Sequence, residues 1–323
     1  MTECERIIQS AILPEVFFRP ETICDFHVDV NRKKIWAIGV DLLISFDKVC
    51  RKYNIKYSLA YGSILGYIRH HGFIPWDDDI DVWMLRSEYN KLLSHADDFR
   101  DPYFLQIPGQ DHGYYFSFSK LRNINTSCVS HAFRYASFNS GIALDIFPVD
   151  NFVESSAQNN FETIDYYNKV NSTNMRRFNP FPTEEETERF RNTPNLNSLE
   201  VLKRIDEIAT KNNTKNVNQV CVTVNTIYYW KRQVFLRKDL EETIDVDFYG
   251  YKIPIPKNYD QVLKTLYGDY MVMPPKDQRG NWHSSAIWDA DISYLETITK
   301  LRINDKQNNG TIKTKNTKFF FSK

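Results

Sequence analysis

"GFIPWDDDIDVWM" occupies positions 72–84 and sets four aspartates, Asp77, Asp78, Asp79 and Asp81, among apolar and aromatic residues. Acidic runs are ordinarily solvated loops. This one is walled by Phe73, Ile74, Pro75 and Trp76 before it and by Val82, Trp83 and Met84 after it, which is poor company for a solvated loop. Asp79 and Asp81 stand two apart at the start of a predicted strand over 80–84, so their side chains share a face. Two carboxylates on one face repel unless a cation lies between them. Oxygen-only ligands suit Mg²⁺ or Mn²⁺. A calcium loop with Asp77, Asp79, Asp81 and Glu88 at positions 1, 3, 5 and 12 fails at position 6, where the sharp turn needs Gly and the chain has Val82.

Upstream, "YSLAY" (57–61) reads as a short strand broken by Gly62 and Ser63. "SILGYIRH" then reads as a helix with Ser63 as N-cap, whose amides, with that of Gly62, can hold a phosphate. Before it, "KKIWAIGVDLLISFDKVCRKY" carries Ile35, Ile38, Leu42, Phe46, Val49 and Tyr53 at helical spacing. Residues 1–30 read as irregular. Downstream, "YYFSFSKLR" (114–122) and "GIALDIFPVD" (141–150) read as strands. The second places Asp145 mid-strand on a face otherwise made of Ala143 and Phe147. Three readings are open for it: pairing with Lys120 or Arg122, a solvent-facing edge, or a third metal carboxylate. A phosphate-binding helix start followed by spaced strand carboxylates is the equipment of phosphoryl or nucleotidyl transfer.

The wider chain sets limits. Lys plus Arg equals Asp plus Glu, at 41 each, so no bulk charge draws it to nucleic acid. Aromatics make up 15% of the chain, enough for a ring-rich core or a stacking site. The five cysteines have no CxxC spacing, which argues against a disulfide framework or zinc site and for a reducing compartment. The N-terminus does not read as a signal peptide, and no run of about 18 apolar residues is present. The expected location is the cytoplasm.

The chain resembles the LicD family, which includes the fukutin-related proteins. "YGSILGYIRHHGFIPWDDDIDVWM" (61–84) carries most of the likeness, supported by "KLRNINTS" (120–127), "GIALDIFPVD" and "LYGDYMVMPP" (266–275). The resemblance implies an α+β fold, a nucleotidyltransferase-like mixed β-sheet flanked by helices. It implies metal-dependent transfer of a phosphoalcohol (phosphocholine or a polyol phosphate) from a CDP-linked donor to a hydroxyl of a cell-surface glycan or lipid-linked oligosaccharide, in polysaccharide biosynthesis, with release of CMP. Carried over by position, Asp79, Asp81 and Asp145 are the catalytic and metal carboxylates. The donor-binding set is Gly62, Ser63, Arg69, Trp76, Asp78, Lys120, Arg122 and His283. Lys120 and Arg122 share a strand face and would neutralise the diphosphate. Trp76 stacks on a base or simply packs, and Asp77 with Asp78 orders the loop. The alternatives are nucleotidyl transfer from an NTP and a non-catalytic metal-dependent binding protein.

The division expected is a catalytic core over 1–150, a mainly helical insertion over 151–230 for acceptor recognition, a hairpin and helices over 231–302 that complete the catalytic unit, and a disordered basic tail over 303–323. Within the insertion, "VNQVCVTVNTIYYW" (217–230) reads as a helix. Five Lys and the Phe319–Phe321 triplet in the tail suggest weak peripheral contact with the inner face of a membrane.

Overall fold

The N-terminal stretch, expected to be irregular, holds a short helix, α1 (Glu3–Gln9), and a small hairpin, β1 (Glu21–Ile23) with β2 (Phe26–Val28). In this computed structural model, residues 1–224, 230–280 and 286–317 are described. The apolar stripe over 35–53 forms α2 (Val30–Lys52), capped by the Asp29 carboxylate, which accepts from the Arg32 amide at 2.8 Å. Burying one face of α2 puts Asp41 in the core, at 1% exposure. Arg6 of α1 and the Tyr103 hydroxyl both donate to that carboxylate, so the buried charge is paired rather than stranded.

Next come β3 (Ser58–Leu59), α3 (Tyr61–His70), β4 (Ile80–Leu85) and α4 (Arg86–Leu93). A ribbon of β5 (Tyr103–Gln106) and β6 (Ser119–Asn123) follows, then β7 (Ser127–Ser130) and the long β8 (Ala143–Asn151). Strand structure in the 114–122 segment begins only at Ser119. Helices α5 (Glu154–Arg176), α6 (Glu184–Asn192) and α7 (Ser198–Thr210) make up most of the expected helical region. That region is not wholly helical: "VNQVCVTVNTIYYW" supplies β9 (Gln219–Cys221), and 225–229 lie outside the described residues. The chain then runs through β10 (Val234–Leu236), α8 (Arg237–Glu241), the hairpin β11 (Thr243–Phe248) and β12 (Tyr251–Pro256), α9 (Tyr259–Tyr267), β13 (Ala286–Asp289) and α10 (Tyr294–Thr317). From 303, where a disordered tail is expected, the described residues as far as Thr317 continue α10, a helix rooted by buried Thr297 and Ile298. Phe319–Phe321 lie outside the described residues.

The fold is α+β, with one mixed sheet at its centre. β4 and β8 lie side by side in parallel, with Asp81 opposite Asp145. β3 covers the outer edge of β4. The other edge of β8 is shared. β6 pairs antiparallel with its first half, and β9 takes its last two residues, Asp150 and Asn151. That second pairing returns the helical region to the sheet. It is reinforced by the buried Asp150 carboxylate, which takes two hydrogen bonds from Arg86 at 2.7 Å, one from Asn213 at 2.7 Å and one from Thr223 at 2.9 Å.

Packing aims the aspartate loop. Trp36 of α2 stacks flat on Phe73, ring centroids 4.8 Å apart, a contact worth about 0.5–1.5 kcal/mol beyond simple burial. The Trp36 indole N–H and the Arg32 guanidinium both donate to the Asp77 carbonyl at 2.8 Å. From the opposite side the Tyr249 hydroxyl, at the β11–β12 turn, accepts from the Phe73 amide at 3.2 Å. α3 lies so close to this loop that a Cβ on Gly66 would stand 2.4 Å from the Gly72 carbonyl oxygen and 2.9 Å from the Ile74 nitrogen. Both are backbone atoms and neither can swing aside. Gly66→Ala is therefore expected to destabilise the protein by roughly 1–3 kcal/mol, read by denaturant unfolding. A variant as stable as the parent would contradict this packing.

Candidate active site

The parallel register of β4 and β8 brings two carboxylates together that are 64 positions apart in sequence, Asp81 and Asp145. The turn into β4 adds Asp79 and Asp77. All four line one wall of a cavity of about 720 Å³. Oxygen atoms of Asp77, Asp78 and Asp79 come within 4.8 Å of one another. Burial, followed by the charges of Asp81, Asp77, Asp145 and Asp78, pushes the Asp79 carboxyl well above the usual carboxylate range. A buried carboxyl surrounded by carboxylates is the electrostatic environment a divalent cation relieves. The donor set, all hard oxygens, fits Mg²⁺ or Mn²⁺.

Neighbouring groups hold this wall in place. Ser63 is buried, and its hydroxyl oxygen accepts from the Asp81 amide at 2.9 Å. Gly62 packs against Asp77, where an added Cβ would meet the carboxylate oxygen at 2.6 Å. The N-cap falls three residues earlier than expected, at Ala60, with Tyr61 at φ +42° as the first helical residue. Ser63 is therefore inside the first turn, and its amide already donates to the Ala60 carbonyl at 2.9 Å. Its expected role as N-cap is corrected: Ser63 fixes Asp81 instead. The amides of Tyr61 and Gly62, as the first two of the helix, have no acceptor within it, and both residues line the cavity.

Lys120 and Arg122 face the cavity from β6. Lys120 stands opposite Asp145 in the antiparallel register, and its ammonium donates to both carboxylate oxygens at 2.6 Å. Of the three readings for Asp145, cross-strand pairing is thus present, on the same face as the other aspartates. Arg122 is buried and donates to the Gln106 side chain and the Gly141 carbonyl, each at 2.5 Å. Trp76 lines the cavity, with its ring already engaged: Phe26 is edge-on at 6.0 Å and the Arg279 guanidinium lies 5.4 Å from its centroid.

Three expected site residues are not on the cavity wall: Ser63, which lies behind it on the Asp81 amide, Asp78 and Arg69. Asp78 is buried at 4% exposure and does not line the cavity, although its carboxylate stays within 4.8 Å of those of Asp77 and Asp79. Arg69 points to the Tyr270 carbonyl, at 3.2 Å, beside Trp76. His283 lies outside the described residues. The wall includes groups that sequence reasoning passed over. Asp77 was treated only as loop-ordering. Tyr61 donates to Gln233 at 2.6 Å across 172 positions, and Tyr267 has its hydroxyl pushed up by burial and by Asp81 and Asp77. A sharper reading of the aspartate run could have found Asp77. Nothing local marks Gln233 or Tyr267.

Comparison with known proteins agrees with the geometry. Residues 54–187 match the family described as LicD/FKTN/FKRP, nucleotidyltransferase domain, a span that includes the four aspartates and Lys120. The chain is also 24% identical over 254 residues to the lipopolysaccharide cholinephosphotransferase LicD of Haemophilus influenzae, covering 76% of this chain and 93% of that protein. Uncharacterised proteins of Rickettsia typhi (34% identity over 74 residues) and Rickettsia prowazekii (31% over 95) are similar over 24% and 32% of their lengths. Over residues 54–187 the chain is similar to the LicD family, and the match to LicD itself extends that likeness over most of its length.

The raised Asp79 carboxyl has a pH consequence. In metal-free protein the folded state holds this proton to a higher pH than the unfolded chain does. The associated stability is present below about pH 4 and is lost as pH rises through the folded value. Asp79→Asn removes that loss. Thermal melts in EDTA are expected to give the variant a Tm advantage at neutral pH that shrinks toward pH 4. An advantage independent of pH, or none, would contradict the assigned electrostatics.

Proposed function

We propose that the protein is a metal-dependent transferase that moves phosphocholine or a related phosphoalcohol from a CDP-linked donor to a hydroxyl of a glycan. The observation that carries this reading is the aspartate wall itself: Asp77, Asp79, Asp81 and Asp145 converge on one cavity with a cation, Lys120, on Asp145. The likeness to a lipopolysaccharide cholinephosphotransferase supports the phosphoalcohol and the glycan acceptor.

In the proposed reaction the acceptor hydroxyl oxygen bonds to the phosphorus that carries the alcohol. The bond from that phosphorus to the bridging oxygen breaks, and CMP leaves. Asp79 and Asp81, with Asp77 beside them, would hold Mg²⁺ or Mn²⁺. Such an ion supplies charge neutralisation to the donor diphosphate, the main requirement of phosphoryl transfer. Ser63 keeps Asp81 aimed through its amide. The Gly62 and Tyr61 amides offer donors to phosphate oxygen at the positive end of α3. Asp145 takes the acceptor proton, and Lys120 fixes its orientation. The aromatic wall around Trp76 and Tyr267 restricts water.

Reaction at the inner face of a membrane, through the basic C-terminal tail, is part of the same proposal. Among the described residues no helix is long and apolar enough to cross a membrane.

The test is product identity. Purified protein is given CDP-choline, CDP-ribitol and CDP-glycerol with Mg²⁺ or Mn²⁺, and CMP is measured. Release of CMP from at least one donor is expected, lost in EDTA and reduced about 10²-fold or more in folded Asp145→Asn. Pyrophosphate released from an NTP instead would establish nucleotidyl transfer. Neither product, or normal CMP release by folded Asp145→Asn, would remove the proposed mechanism.

A further inference from the structure

A second cavity, of about 560 Å³, lies against the aspartate cavity and shares three wall residues with it, Tyr115, Phe116 and Phe118. Its far side is built by Asn168 and Ser172 of α5 and by Arg189 of α6, from the helical region for which the catalytic wall has no use. We propose that this cavity is the subsite for a sugar ring of the acceptor glycan, a proposal that rests on the transferase reading above.

Four observations carry it. The first is position. The Lys120 ammonium lies 2.6 Å from both Asp145 oxygens and 4.8 and 5.2 Å from the ring centroids of Phe116 and Phe118. The shared aromatic partition is therefore one side chain away from the group proposed to take the acceptor proton. The second is surface chemistry. Tyr115 and Phe116 are half-buried, with centroids 4.1 Å apart. The two rings pack face on face, planes 31° apart, and present an apolar wall with a polar tip at Tyr115, a surface against which the C–H groups of a sugar ring pack.

The third is rigidity of the polar wall. The Asn168 amide accepts from the Ser117 hydroxyl at 2.7 Å and donates to the Val224 carbonyl at 3.0 Å. This ties the aromatic loop to α5 before any ligand arrives, and pre-organisation of that kind lowers the cost of binding. The fourth is charge. The two cations of the lining, Lys169 and Arg189, each have a carboxylate one helical turn away, Asp165 at 2.6 Å and Glu185 at 3.4 Å. The cavity is thus locally neutral, unlike the aspartate wall. It suits an uncharged polyhydroxy ligand better than a diphosphate, and its volume is in the range of small-molecule sites, roughly 300–1,000 Å³.

The probes are the methyl glycosides of glucose, galactose and N-acetylglucosamine, offered singly at millimolar concentration to the full chain without donor. Binding is read by saturation-transfer NMR. Wild type is expected to give a signal with at least one of them. Ser172→Trp, which fills the cavity, should abolish that signal. Arg189→Ala, on an exposed position, should weaken it several-fold while melting within about 2 °C of wild type. The second variant keeps the test valid if the first fails to fold. No signal from any probe with wild type, or an undiminished signal in folded variants, overturns the subsite. CMP release by wild type reads the transferase proposal separately, because the glycoside measurement needs neither donor nor turnover.

Discussion

Mutual repulsion among four carboxylates is the constraint around which this molecule is arranged. Burial and the charges of Asp81, Asp77, Asp145 and Asp78 all oppose ionisation of Asp79. A chain selected for stability alone would have no reason to bear that cost. The scaffold nonetheless holds the arrangement from several directions. Arg32 and Trp36 grip the Asp77 carbonyl, Ser63 grips the Asp81 amide, and Gly62 and Gly66 let α3 approach the loop more closely than any side chain permits. Strain that is so well supported is found where function needs it.

Lys120 shows how the wall is balanced. Its cross-strand position opposite Asp145 neutralises one carboxylate of the four. Asp77, Asp79 and Asp81 lie nearer the turn, on the other part of the same wall. In the proposed reaction this divides the wall in two. Asp77, Asp79 and Asp81 serve the diphosphate side, and Asp145 with its lysine serves the acceptor side. The second cavity opens beside Lys120 and so meets the half of the wall that an acceptor must reach.

The parts of this arrangement legible in the sequence were those written in local pattern. Period-two alternation marked β4 and β8, helical spacing marked α2, and the family blocks set Asp81 and Asp145 on one fold. What could not be read depended on long-range packing. The start of α3 was misplaced because Gly62 and Ser63 look like a helix boundary, whereas Tyr61 takes a positive φ and begins the helix itself. Asp78 and Asp77 are neighbours in the same run, and only the folded chain decides that Asp77 lines the cavity and Asp78 does not. β9 was read as helix because three residues carry no reliable period of their own. Its strand character comes from β8, some 70 positions away. The aromatic partition between the two cavities had no local signature, since Tyr115 and Phe116 precede β6 in an irregular segment that resembles its continuation.

The central claim is that the aspartate wall is a divalent-cation site. Crystals of the wild-type protein grown with Mn²⁺ and CDP-choline, with diffraction recorded above and below the manganese absorption edge, test it most directly. The account expects an anomalous peak within coordination distance, about 2.0–2.4 Å, of carboxylate oxygens from Asp79 and Asp81. Manganese bound elsewhere with this wall empty, or donor bound in the cavity with no metal at these carboxylates, would contradict it.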